Sequence, residues 1–296
     1  MSRRDLGLFV AVAALWGIPY LFIKVAIDGD IPPMTIVFAR VLLGALLILP
    51  IAIHRGAMRE IRPHLPAILV VALADVAVPF ILIVLAEREI SSSLAGILVA
   101  STPLWVALLA LRFDHSERMS GLRLVGLFAG FAGVVALLGG GTGGGTLDAA
   151  VMMLLASLGY AIAPMVVKQK LAGVPALGIT CASLCISSVL LAVPAALDPP
   201  TEMPGFDAFA SVVVLGVFCT AIAFILFYAL VARVGSGRAT LITYVSPIFS
   251  LAAGILILDE SIEAMTIAGL LLILVGSWLA AGQRAGAGTL PSTRSA

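Results

Sequence analysis

This chain is short of charge. Only 11% of its 296 residues are Asp, Glu, Lys or Arg, against roughly 25% in an ordinary water-soluble domain, which excludes a soluble globule. It holds three cysteines, Cys181, Cys185 and Cys219, all inside apolar runs. An odd number of thiols in such surroundings argues against a disulfide framework and against a metal cluster. The three histidines, His54, His64 and His115, lie in short polar connections, and no Ser-His-Asp set or carboxylate dyad appears. No catalytic residue, metal or cofactor is therefore expected. A net charge of +1 leaves no electrostatic footprint for nucleic acid.

What remains is apolar. Hydrophobic residues make up 61% of the chain and the mean hydropathy is +1.19. The charges cluster between apolar runs of about 20 residues, the length that crosses ~30 Å of hydrocarbon. A transmembrane barrel would instead show ~10-residue alternating segments. The expected fold is an all-α polytopic membrane protein with the lipid bilayer as its solvent. Ten transmembrane helices are placed at 6–25, 33–53, 66–86, 92–111, 121–139, 148–168, 176–196, 206–230, 237–257 and 264–282. The first run is read as a span rather than a leader, because no small-residue cleavage site ends it. The tail 285–296 is read as disordered.

With the N-terminus in the cytoplasm, fourteen of the seventeen Lys and Arg residues fall on the cytoplasmic side. Lys24 and Arg88 fall outside, and Arg40 lies within a span. Basic residues concentrate in short cytoplasmic loops. The split therefore predicts an even number of spans in a plasma (inner) membrane, with both termini inside.

The chain also repeats itself. Shifted by 144 residues, Trp16 falls on Tyr160, Lys24 on Lys168, Pro50 on Pro194, Phe80-Ile81-Leu82 on Phe224-Ile225-Leu226, Ser92 on Ser236 and Pro103 on Pro247. After a one-residue slip, Glu117 pairs with Glu260, Gly126 with Gly269 and Gly133 with Gly276. Five spans per half is an odd number, so the halves enter the membrane in opposite senses. Such a 5+5 inverted-topology repeat is a recurrent transporter design, with the substrate site near the midplane. The expected organisation is a first repeat at 1–139, a glycine-rich linker at 140–147 and a second repeat at 148–284. The run GGGTGGG (139–145) has no following Lys-Ser/Thr and reads as a hinge rather than a phosphate loop.

Four stretches carry a family resemblance: ALWGIPYLFIKVAI, VFARVLLGALLILP, the segment from ISSSLAGILVASTPLW to GFAGVVAL, and ATLITYVSPIFSLAAGILILDESIEAMTIAGLLLILVGSW. They resemble the EamA family of the drug/metabolite transporter superfamily, over nearly the whole chain. The resemblance implies ten helices in two inverted sets of five and a central cavity lined by helices 1, 3, 4, 6, 8 and 9. It also implies export of small metabolites. The second half departs from the first where Arg40 falls on Leu184 and Asp75 on Cys219, so polar chemistry at those places comes from one half.

Candidate site residues follow from position. Asp75 is a carboxylate at bilayer depth, where charge is costly and marks a pathway or a proton relay; the alternative is a structural acid paired with Arg40. Arg40 either holds a substrate carboxylate or packs structurally, near enough to the outer face to snorkel. Trp16, Tyr20 and Lys24 form one stripe on the first helix, and Tyr160, Pro164 and Lys168 the matching stripe on the sixth. Their rings would stack on a planar or cationic substrate, and the lysines read as boundary charges. Pro79, Pro103 and Pro247 are expected to interrupt their helices, each freeing a carbonyl that a neighbour, a Ser/Thr hydroxyl or water must satisfy. Pro103 and Pro247, flanked by Ser101, Thr102, Thr243 and Ser246, are the candidate hinges. Trp105, Tyr228 and Tyr244 are further lining candidates. The glycines of the fifth and tenth spans read as scaffold or homodimer contacts.

The function expected is a secondary transporter of small organic solutes, amino-acid-like or drug-like, that exports by alternating access and couples to protons through Asp75. The alternatives are an uncoupled facilitator of the same fold or a membrane-embedded enzyme acting on a lipid.

Overall fold

A computed structural model describes residues 1–113, 121–139 and 147–281. The linker glycines 140–146, the tail from 282, and Glu117, His115, Arg118, Arg284 and Arg294 lie outside the described residues. Every element among the described residues is helical. Eight helical rods are long and apolar enough to cross a membrane: α1 (Arg3–Asp28), α2 (Pro33–His54), α3 (Arg62–Ala86), α4 (Ser92–Ala110), α6 (Leu147–Lys170), α7 (Ala176–Leu197), α8 (Phe206–Val234) and α9 (Ser236–Ile257). Two more, α5 (Gly121–Gly139) and α10 (Ala264–Ala281), are apolar but shorter. In hydrocarbon only a helix meets its own backbone hydrogen bonds, so an apolar run of this length has no other stable form.

The interior is small-residue and aliphatic, while a large apolar surface stays exposed. Phe128 is 68% exposed, Val189 73% and Leu256 79%. Side chains of this kind suit a hydrocarbon solvent and not water. The tightest helix pair is α5 with α10, and glycines are the reason. A methyl group added at Gly276 would meet the Gly126 carbonyl at 2.6 Å and the Gly130 Cα at 2.6 Å. One at Gly126 would meet the Gly276 carbonyl at 2.7 Å, and one at Gly133 the Gly269 carbonyl at 2.9 Å. Without side chains the backbones touch, which maximises dispersion where no hydrophobic drive separates helix from lipid. The seam is closed within one chain, so these glycines serve as scaffold.

Three rods are broken, and the breaks differ from the sequence expectation. In α4, Ser92–Val99 ends and a second segment, Thr102–Phe113, begins. Pro103 cannot donate to the Val99 carbonyl, and the Thr102 hydroxyl donates to it instead at 2.8 Å. The neighbouring Leu98 carbonyl takes the Ser101 hydroxyl at 2.6 Å. Pro247, by contrast, lies inside the continuous stretch Ile242–Ile257. The break in α9 comes earlier, after Ser236–Ala239, where the Thr243 hydroxyl bonds the Thr240 carbonyl at 2.9 Å. Pro19 divides α1 into Arg3–Gly17 and Pro19–Asp28.

In α3 the irregularity precedes the proline. Ala72–Ala77 forms a π-helical turn, and Pro79 then opens the regular stretch Val78–Ala86. A second π turn, Val217–Ile222, interrupts α8. A π turn inserts one residue and leaves a carbonyl without its helical donor, a feature concentrated at functional sites. Both are answered by hydroxyls: Ser187 of α7 donates to the Ala72 carbonyl at 3.2 Å, and Thr220 to the Leu215 carbonyl at 2.8 Å.

Candidate functional site

Asp75 lies within the first π turn and is half-buried. Among the described residues its carboxylate has no ion pair, so the pairing with Arg40 weighed from the sequence does not form. Its electrostatic neighbours are the phenols of Tyr160 on α6 and Tyr228 on α8. Both tyrosines keep partial exposure, as groups bordering a polar interior do.

Arg40 does not snorkel. It is only 6% exposed, and its Nε donates to the Thr220 hydroxyl at 3.1 Å. Its guanidinium also lies 3.8 Å from the centroid of the Phe80 ring. A planar cation is stabilised by an aromatic face when desolvated. Thr220 thus takes part in two hydrogen bonds, one from Arg40 in the first half and one within its own π turn. Tyr20, Tyr160 and Arg40 are close enough to interact electrostatically. Tyr20 packs over Gly96 of α4, and Pro79 against Gly159, beside Tyr160.

Trp16 meets Phe227 at 4.8 Å and Phe224 at 5.7 Å between ring centroids. Phe224 is stacked on Tyr228 at 6.2 Å, whose hydroxyl is in close contact with that of Thr180. One aromatic wall therefore runs from α1 to α8 and ends at the phenol beside Asp75. Trp105 belongs elsewhere: it packs edge-on against Phe131 of α5 at 5.3 Å. Tyr244 is partly exposed on α9.

Two residues with large roles were not singled out from the sequence. Glu260, between α9 and α10, reaches across to the start of α4. It accepts from the Ser92 amide at 2.7 Å, the Ser93 amide at 3.0 Å and the Ser93 hydroxyl at 2.5 Å. Ser250 adds a bond to the Ser92 carbonyl at 3.1 Å. Helix N-termini have unpaired donors and attract anions, and here the cap comes from 168 residues away. The pairing of Glu260 with Glu117 in the repeat was its only sequence signal. Glu87, in the turn after α3, is 0% exposed. Lys24 is more than a boundary charge: it pairs with Asp28 at 3.4 Å and donates to the Glu87 main-chain carbonyl at 3.4 Å.

These features define a multi-pass helical membrane protein with a partly polar interior where its two halves meet. The chain belongs to the EamA-like transporter family, whose sequence profile matches residues 5–139 and again residues 148–282. Its relatives are named as transporters. The uncharacterized transporter YvbV of Bacillus subtilis (strain 168) is 26% identical over 279 residues, covering 92% of this chain and 90% of that one. The uncharacterized inner membrane transporter YedA of Escherichia coli (strain K12) is 28% identical over 258 residues, covering 85% and 83%. A protein of known crystal structure shares the fold at a TM-score of 0.66 and 18% identity, over 95% of this chain and 97% of that one. The protein is a membrane transporter by family, and the relatives above carry transporter names.

Proposed function

We propose that this transporter moves small organic solutes out of the cell by alternating access, exchanging them for protons taken up at Asp75. Ten spans in two inverted sets of five would carry the movement, with both termini in the cytoplasm of a cell bounded by a plasma (inner) membrane. One observation carries the reading. The two π turns, Ala72–Ala77 and Val217–Ile222, stand at corresponding places in the two repeats, and each is tied to the second helix of the opposite half. Arg40 of α2 bonds Thr220 in one, and Ser187 of α7 bonds Ala72 in the other. The glycine seam supports the same symmetry. Gly126 approaches Gly276 as Gly269 approaches Gly133, and the repeat offset exchanges those two contacts.

The substrate chemistry follows from the site. Trp16, Phe224 and Tyr228 offer ring faces and Asp75 an unpaired carboxylate, while Tyr20, Tyr160 and Arg40 supply the opposite, polar side. A solute with an amine and a flat or apolar body fits this set. Arg40, held by Thr220 and Phe80, acts by position and field. The test is a substrate panel in proteoliposomes with an imposed pH gradient. Asp75→Asn should abolish pH-driven accumulation while leaving downhill exchange. Full pH-driven accumulation by the variant would refute the coupling and favour an uncoupled facilitator.

A further inference from the structure

Glu87 is an unusual carboxyl among the described residues. It is fully buried, and neither side-chain oxygen has a hydrogen-bond partner among the described residues. A buried carboxylate without donors is strongly disfavoured, and such a group binds a proton instead. The charged and titratable groups around it come from three elements. Lys24, Asp28 and Tyr20 approach from α1, Arg40 from α2, and Glu260 from the α9–α10 connection. Lys24, the nearest cation, is already engaged with Asp28 and with the Glu87 main chain. Burial pushes the Glu87 carboxyl well above its ordinary value, Lys24 pulls it back, and Glu260 adds to the rise.

Its surroundings are a closure. At this end of the bundle the Glu260 carboxylate grips Ser92 and Ser93, and Ser250 grips Ser92. A methyl at Gly254 would strike the Ser93 hydroxyl and the Glu260 carboxylate, and one at Gly96 would strike Ser250.

We infer that Glu87 is a proton-binding site which must be occupied for this end of the transporter to close. When Ser92–Val99 and Ile242–Ile257 part, Glu87 meets water and ionises; when they close, it takes one proton from the solution on that side. A closed state with a raised carboxyl pKa is favoured at low pH and loses ground as pH climbs above the ordinary glutamate value of about 4.3. Between that value and the raised one, the open-to-closed ratio grows by up to tenfold per pH unit. Acid on this face thus holds the gate shut, whatever solute occupies the interior. The inference rests on the alternating-access reading only for the existence of an open state.

The experiment uses the full chain in nanodiscs with Cys181, Cys185 and Cys219 replaced by Ala and Ser250→Cys added. Ser250 is 1% exposed and part of the seal itself, its hydroxyl on the Ser92 carbonyl, so a maleimide reaches its replacement only on opening, and the substitution is carried in both arms. Divided by the thiolate's own rise with pH, read from labelling of the same cysteine in the unfolded chain, labelling should accelerate by up to tenfold per pH unit, and Glu87→Gln should make it slow and flat with pH. Infrared spectra of the chain with native Glu87 should carry a protonated-carboxyl band at pH 7 that the variant lacks. Measurable labelling that is pH-independent, or a variant that titrates like its parent, overturns the proton site and leaves alternating access intact. No labelling at any pH overturns both.

Discussion

Glu260→Ala should loosen the seal between the halves more than any surface substitution could. The carboxylate is the acceptor for the Ser92 and Ser93 amides and for the Ser93 hydroxyl, and those serines are 0% and 1% exposed. Ser91 caps only the Leu94 amide, at 3.2 Å, so it cannot take over. Hydrogen bonds to a charged group contribute about 1.5–3 kcal/mol, and an orphaned buried donor costs about 1–3 kcal/mol. Water entering the gap recovers part of this, which leaves roughly 2–4 kcal/mol, a shift of about 30- to 1,000-fold toward the parted state. The loss in global stability is capped by the free energy of opening, because the seal can part without unfolding either half. Amide exchange at Ser92 and Ser93 should therefore speed up far more than the melting temperature falls. A double-mutant cycle with Ser93→Ala should show coupling of about 0.5–3 kcal/mol, as expected of directly bonded partners. Exchange at those amides changed less than twofold by Glu260→Ala would refute the argument, and additive single effects would refute the pairing.

Two further outcomes follow from the packing. Gly276→Ala sets a methyl against the backbone of Gly126 and Gly130, which cannot yield as a side chain would. It should cost about 1–3 kcal/mol by overpacking in thermal unfolding, whereas Gly7→Ala, with nothing nearby, should be neutral or better. Thr220→Val removes the partner of Arg40 Nε and the donor to the Leu215 carbonyl. It should destabilise by about 1–3 kcal/mol and lower transport, while Thr220→Ser should restore both; a Val variant equal to the parent would show that Arg40 needs only the Phe80 ring.

The residue pattern alone determined that the chain is a bundle of apolar helices, where each rod starts and stops to within about four residues, and that the chain is a duplicated sequence. It also marked the Thr102–Pro103 pair, since a missing donor and the hydroxyl that replaces it are neighbours in the chain. Lipid makes this legible: with no water to satisfy the backbone, every rod must be built from its own contiguous residues. Partnership between distant residues obeys no such local rule. That Pro247 bends nothing into a break, that Arg40 turns to Thr220 instead of Asp75, and that the glycines of α5 meet those of α10 follow from how rods pack. The cap at Ser92 and the sealing of Glu87 likewise depend on where the α9–α10 connection lands. Only the tertiary structure decided those matters, because the energy of a buried charge is set by what surrounds it and not by its neighbours in sequence.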